Sequence, residues 1–303
     1  MDALQIVNEL KTKIDEKTIE LFFPLWKHTY TKTGGTADIF IKPKHIQDLQ
    51  LVIEYAQSYH IPLTVLGNGS NVLVRDKGLR GIVITLEHFN TIAVEGNQII
   101  AGSGAKIIDV SHTALEHHLT GLEFACGIPG SVGGALVMNA GAYGGETSTV
   151  LKKATVFSHS GELIDLEEKD FHFGYRKSVF TEKDYIIVEA LFELQPGEHA
   201  KIKEEMDTFT ALREAKQPLE YPSCGSVFKR PTGYFAGKLI QDSGLQGARI
   251  GGAEISTKHA GFIVNVDGAS STDYLKLIQH AQDTVREKFG VELETEVKII
   301  GED

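Results

Sequence analysis

Apolar residues recur at helical spacing in several places. In "KHIQDLQLVIEYAQSY" (44–59), Ile46, Leu49, Val52, Ile53 and Ala56 share one face, and Pro62 lies just beyond. In residues 200–216, Ile202, Met206, Phe209 and Leu212 predict a second amphipathic helix, stopped by Pro218. A third runs from Thr272 to Phe289, with Gly290 as its C′ residue. Residues 105–119 suit a further helix ending before Gly121. Strand signals lie between them. "IPLTVLGNGSNVLV" (61–74) reads as two strands around a Gly/Asn turn, and "GIVITL", "NQIIAGSG", "KKATVFS" and "YIIVEALFEL" continue in the same style. The last strand, "VELETEVKII", alternates. Val291, Leu293, Val297 and Ile299 face one way, and Glu292, Glu294, Glu296 and Lys298 the other. This mixture predicts an α+β protein, with a boundary near residues 213–220, where "KQPLEYP" follows a helix.

Composition narrows the class. At 303 residues, 42% hydrophobic and 23% charged, the chain has the make-up of a soluble globular protein of about two domains. A formal charge of -11 argues against nucleic acid as a partner, since such binders carry a basic footprint. It leaves room for a small anionic ligand, which needs only a few local cations. Two cysteines, Cys126 and Cys224, make no disulfide framework and fit a reducing compartment. The N-terminus lacks the apolar core of a signal peptide, and no run is long enough to span a membrane. A soluble cytoplasmic protein is expected, without membrane insertion.

Candidate chemistry sits in four stretches. Residues 127–145, "GIPGSVGGALVMNAGAYGG", hold seven glycines and no charged residue, which suits a backbone that approaches a ligand closely. "LGNGSNVLV" suits the same role or a plain turn. Nucleotide signatures of other folds fail: "GSGAKI" has Ile107 where a dinucleotide fingerprint needs its third Gly, and "GYFAGKL" is one residue short of a P-loop. His112, His117 and His118 do not share a helix face, so no metal is expected. Arg176, in "FGYRKSVF", suits carboxylate or phosphate recognition, or a surface turn. Glu296 reads by spacing as one of several Glu on a solvated face. In "YPSCGSVFKRP" (221–231), Cys224 is a possible nucleophile and Ser226 a possible proton donor, with Lys229 and Arg230 as candidate cations to stabilise its alkoxide. By pattern alone Ser226 simply opens a strand.

Seven collinear stretches together resemble the UDP-N-acetylenolpyruvoylglucosamine reductases. They are "HTYTKTGGTADIFIKP" (28–43), "VLGNGSNVLV" (65–74), "GLEFACGIPGSVGGALVMNAGAYG" (121–144), "GYRKSVF" (174–180), "GSVFKRP" (225–231), "AGKLIQDSGLQGARIGGAEIS" (236–256) and "LETEVKIIG" (293–301). The resemblance implies a two-subdomain FAD-binding fold of the vanillyl-alcohol oxidase type plus a C-terminal α+β substrate domain. The expected limits are 1–75 and 292–303 for the first subdomain, 76–212 for the second, and 213–291 for the substrate domain. It implies non-covalent FAD, NADPH as reductant, and an enolpyruvyl ether of a UDP-sugar as substrate, in the synthesis of the peptidoglycan cell wall. A monomer is expected.

The same resemblance assigns residues. Arg176 and Glu296 would polarise and hold the substrate carboxylate, with a proton on or shared by Glu296 so that two anions do not face each other. Ser226 would protonate the substrate's C2. Gly67, Asn68, Gly69, Ser70 and Asn71, then Gly127, Pro129, Gly130, Ser131, Gly133, Gly134, Asn139, Gly141 and Ala142, would contact FAD. Tyr175, Lys216 and Arg230 would contact the substrate. Arg176 and Lys216 are only 40 positions apart (216 − 176), leaving little room for the Tyr-bearing loop of the family's longer branch, so Arg230 is expected to meet the diphosphate instead. An FAD-dependent oxidase using O₂ and a sugar-nucleotide-binding protein without redox chemistry are the alternatives.

Overall fold

The computed structural model describes residues 2–303, which divide into two compact units. The first comprises the chain up to Leu21, Asp38–Asn68 and Gly81–Arg213; the second comprises Phe22–Ala37, Gly69–Arg80 and Glu214–Asp303.

In the first unit an antiparallel sheet runs in the order Leu163–Glu167, Leu151–Phe157, Ile186–Glu193, Gln98–Gly102, Ile92–Glu95. Ala154, Val156, Ile187, Ala190 and Phe192 pack into one core with the helices Ile107–Glu116 and Val132–Val137. Phe157, Ile186 and Val188 pack into another, shared with the helix Ile46–Ser58. The sheet is therefore covered on both faces, and "YIIVEALFEL" reads as a nearly unbroken apolar run for that reason. A second sheet has the order Ile19–Pro24, Thr36–Ile41, Leu79–Thr85, Leu63–Leu66, with the last two strands parallel.

The second unit holds an antiparallel sheet in the order Ser223–Ser226, Phe262–Asn265, Ala253–Ile255, Arg249–Ile250. The helix Ser271–Phe289 lies against it through Tyr274, Leu277, Ile278, Ala281 and Val285, all buried at i, i+3, i+4 spacing. Gly290 follows it with φ 67°, the left-handed conformation of a helix C-terminal cap. Lys298–Ile300 pairs in parallel with Val72–Val74.

Three sequence expectations change. The helix over 200–216 is present as His199–Lys216, but it buries only Ile202 and Met206, and Leu212 is exposed. The rest of its surface is too polar to cover more than a small cluster around Cys126. The strand "VELETEVKII" is regular only from Lys298 onward. A helix over Ala3–Leu10, capped by Asp2, escaped the periodicity reading.

Helix Ser271–Phe289 begins under unusually dense capping. Ser270 and Asp273 form a reciprocal capping box. Asp76, distant in sequence, accepts from Ser271 N (2.8 Å), Thr272 N (3.0 Å) and Thr272 Oγ1 (2.6 Å). Desolvation pushes the Asp76 carboxyl up, but the hydrogen bonds from Thr272 and Ser271 outweigh it and hold it below the usual carboxylate range. The folded-state value is the lower one. Its contribution is thus fully present above the unfolded value of about 4 and is lost as pH falls through the folded value. Asp76→Ala should lower the unfolding free energy at pH 7 by about 1 kcal/mol. In urea titrations that deficit should shrink below about pH 4; a constant deficit at acid pH would mean the helix end does not use the charge.

Candidate active site

In the second unit Ser226 and Glu296 stand at two irregularities in strand pairing. Ser223 pairs with Val264, yet Ser226 pairs with Phe262, so one extra residue is accommodated between them. Gly225 takes it up with φ 75°, a conformation costly for any residue with a Cβ. The bulge re-aims Ser226, whose hydroxyl donates to Phe228 O at 3.3 Å. Opposite, Glu296 N and Val297 N both donate to the single carbonyl of Val227, at 2.8 and 3.3 Å. Two consecutive N–H groups converging on one acceptor are the signature of a second β-bulge. Phe228 bridges Thr295, and Lys229 N donates to Glu294 O at 2.8 Å, so the two segments run antiparallel around the bulge.

At this bulge Glu296 is less exposed than alternation predicts. Glu292, Glu294 and Lys298 are exposed, whereas Glu296 is half-buried. Its carbonyl accepts from Asn71 Nδ2 at 3.3 Å, and Asn71 O accepts from Lys298 N at 3.1 Å. Asn71 thus braces the backbone on both sides of Val297.

The neighbours of Ser226 are now placed. Cys224 is buried, and burial pushes its thiol up to about 12, which removes it as a nucleophile near neutral pH. Lys229 forms an ion pair with Glu294, so its charge is largely offset rather than aimed at Ser226. The Arg230 guanidinium lies 4.0 Å over the ring of Phe235. Lys216 is exposed at the end of its helix. His259 is a residue that spacing could not place. A methyl on Gly261 would sit 3.5 Å from Ser226 Oγ and 3.0 Å from the His259 ring, so both flank that glycine. His259 Nδ1 accepts from Gly261 N at 3.1 Å. Burial, with the Lys216 ammonium as a lesser cause, holds its pKa below the ordinary histidine value.

In the first unit Arg176 sits in a two-residue turn closed by Gly174 and Lys177, with φ 56°. Its guanidinium donates to Asn139 O (3.3 Å) and Gly141 O (3.2 Å), and lies 5.0 Å from the exposed Tyr175 ring. Asn139 is buried, accepts from Ser148 N and donates to Gly174 O, tying the turn to the glycine-rich stretch. Gly141–Ala142 forms a short ladder with Gly145–Glu146.

The glycines serve two purposes. A Cβ on Gly67 would lie 2.6 Å from Ser131 Oγ, one on Gly127 2.8 Å from Arg213 Cδ, and one on Gly141 2.6 Å from Gly145 O, so these permit the chain to approach itself. Gly133 donates to Ser103 O, and Gly134 to Ser131 Oγ. Among the described residues, by contrast, the backbone N–H groups of Asn68, Gly69, Ser70 and Asn71 have no acceptor in the chain, nor do those of Gly130 and Ser131. Gly69, Gly130 and Ser131 are buried. Asn68 Nδ2 donates to Pro129 O at 3.4 Å. Buried donors in a tight turn call for an acceptor, and each of these turns taken by itself suits a phosphate oxygen. The residues fit FAD.

Residues 37–167 match the family described as FAD binding domain, and residues 217–300 match the C-terminal domain family of UDP-N-acetylenolpyruvoylglucosamine reductase. The glucose dehydrogenase Phl p 4 shares the fold with TM-score 0.52 at 15% identity, over 64% of this chain and 44% of its own. Fold and turns together define an FAD-binding α+β protein of the vanillyl-alcohol oxidase type. The UDP-N-acetylenolpyruvoylglucosamine reductase of Exiguobacterium sibiricum is 58% identical over 99% of this chain and 98% of its own length. That of Listeria monocytogenes serovar 1/2a is 60% identical over 98% and 100%. The crystal structure of UDP-N-acetylenolpyruvylglucosamine reductase from Thermus caldophilus superposes with TM-score 0.81 at 33% identity, covering 93% and 98% of the two chains. The chain belongs to the UDP-N-acetylenolpyruvoylglucosamine reductase family.

A methyl on Gly225 would meet nothing within 4 Å, so Gly225→Ala isolates the conformational requirement of the bulge. The variant should lose about 1 kcal/mol of stability. It should retain FAD and lose roughly tenfold or more in turnover, as expected of a misplaced reacting group. Wild-type turnover would show that the bulge does not aim Ser226.

Proposed function

We propose that this protein reduces the enolpyruvyl ether of UDP-N-acetylglucosamine to the lactyl ether of UDP-N-acetylmuramate, with NADPH as reductant. Bound FAD supplies the hydride that it has taken from NADPH. Every other task falls to the chain. A vinyl ether is electron-rich and resists hydride at C3, so negative charge must be accommodated on C2 and the adjacent carboxylate as the bond forms. Arg176 carries a permanent charge in a fork suited to a carboxylate, and its turn is tied to the glycine-rich stretch. Glu296 completes the hold on that carboxylate. Ser226 delivers its hydroxyl proton to C2.

The observation that carries this reading is the pair of bulges around Ser226 and Glu296. The sequence places a glycine with positive φ beside Ser226 and a broken ladder beside Glu296, and such irregularities in strand pairing re-aim the side chains next to them. Tyr175, Lys216 and Arg230 contact the nucleotide-sugar, Arg230 at the diphosphate. The segments 1–75 with 292–303, and 76–212, serve as the two FAD subdomains, and 213–291 as the substrate domain. The enzyme works as a monomer in the cytoplasm, in peptidoglycan precursor synthesis that supports cell shape and division. Among the described residues no helix is long and apolar enough to cross a membrane.

Anaerobic stopped-flow spectroscopy separates the steps. NADPH should bleach the yellow enzyme, and the enolpyruvyl nucleotide-sugar should restore its colour. Ser226→Ala should bleach at the normal rate and recover roughly 10²–10⁴-fold more slowly. Recovery at the wild-type rate would remove Ser226 from proton transfer, and a wild-type protein that stays bleached would overturn the function.

A further inference from the structure

Between Ser226 and the helix Ala236–Asp242 the chain makes a tight reversal. Tyr234 N donates to Pro231 O at 3.1 Å, and Gly233 has the positive φ, 79°, that a type II turn needs at its third position. The turn brings Phe235 back to Arg230. Phe235 is 61% exposed, the most of any large apolar side chain among the described residues. The adjacent helix sends Ala236, Leu239 and Ile240 into the core of the second unit, and Phe235 stays outside it. Its ring instead carries the Arg230 guanidinium, whose central carbon lies over it at 4.0 Å from the centroid.

An exposed phenylalanine that contributes to no core needs another purpose. An arginine at the surface samples many rotamers, and ordering it on a ligand opposes binding. Stacking engages the face of the guanidinium, whereas recognition of phosphate takes place along its N–H edge. The ring can therefore order the group without competing for its ligand.

We propose that Phe235 is a positioning residue that holds the Arg230 guanidinium in the plane in which its edge meets the diphosphate of the nucleotide-sugar. This rests on the reductase reading above. The ring acts through Arg230 and does not stack on the base.

The test is calorimetric titration of UDP and of uridine into the FAD-loaded wild type, Phe235→Leu, Phe235→Tyr, Arg230→Ala and Arg230→Ala with Phe235→Leu. Phe235→Leu should weaken UDP binding about two- to fivefold, the range for an exposed cation–π pair, while Phe235→Tyr restores it. Uridine binding should be the same in all five. In steady state, KM for the nucleotide-sugar should rise in Phe235→Leu by more than kcat falls. On the Arg230→Ala background the second substitution should add nothing. UDP binding untouched by Phe235→Leu, or an equal loss with and without Arg230, would overturn the inference while leaving the reductase reading intact. A parallel loss of uridine would assign the ring to the base and overturn it likewise. A wild type that binds no UDP would overturn the reading and the inference together.

Discussion

The carbonyl of Val227 accepts two consecutive N–H groups, and the pairing that holds Glu296 in the second unit is built around that irregularity. Val227 is fully buried, so its carbonyl has no water to turn to and must be satisfied by the chain. Taking both Glu296 N and Val297 N inserts an extra residue into the pairing. In a regular strand Glu296 would point with Glu294 and Lys298 into solvent. With the bulge it is half-buried, and Val297 goes into the core on its other side. Across from it, the bulge at Gly225 does the same for Ser226. The Asn71 amide holds the Glu296 carbonyl, which links this arrangement to the Gly/Asn turn.

A comparable trade appears around Arg176. A left-handed conformation at a non-glycine residue costs about 1–2 kcal/mol. Two hydrogen bonds from a charged donor to the carbonyls of Asn139 and Gly141 offset it, each worth roughly 1.5 kcal/mol or more. Those carbonyls are thereby committed to the guanidinium, while the N–H groups of the neighbouring turn at Gly130 and Ser131 take no part in it. Donors and acceptors of the glycine-rich stretch are thus divided: the carbonyls of Asn139 and Gly141 fix the arginine, and the N–H groups of Gly130 and Ser131 meet no acceptor among the described residues. This sorting gives physical content to a run of glycines that could otherwise pass for simple turns.

The helices were legible because burial on one face imposes a period, and Ile46–Ser58 and Ser271–Phe289 follow it closely. The central strands were legible as apolar runs because both faces of their sheet are covered. Helix His199–Lys216 was overread, since four apolar residues at the right spacing do not guarantee a partner for the fourth, Leu212. The bulges were invisible for a different reason. A bulge is a property of two paired segments, and Val227 and Glu296 stand far apart in the chain. Alternation along "VELETEVKII" predicts an exposed Glu296, and only the pairing overrides it. The direction of Ser226 is hidden in the same way, although Gly225 just before it was the one local trace. His259 carries no sequence signal at all, because its relation to Ser226 passes through Gly261 in a neighbouring strand connection. Only the motif resemblance, and not periodicity, singles out Ser226 and Glu296 in the sequence.

If the bulges exist to bring Ser226 and Glu296 to one substrate group, the two side chains act on a single step. A double-mutant cycle with Ser226→Ala and Glu296→Gln, read out as the rate at which the enolpyruvyl nucleotide-sugar reoxidises the pre-reduced flavin, tests this most directly. The double variant should be about as slow as the slower single variant, because residues that serve one transition state fail as a unit. Losses that multiply, leaving the double variant slower by the product of the two, would contradict a shared step and with it the role given to the bulges.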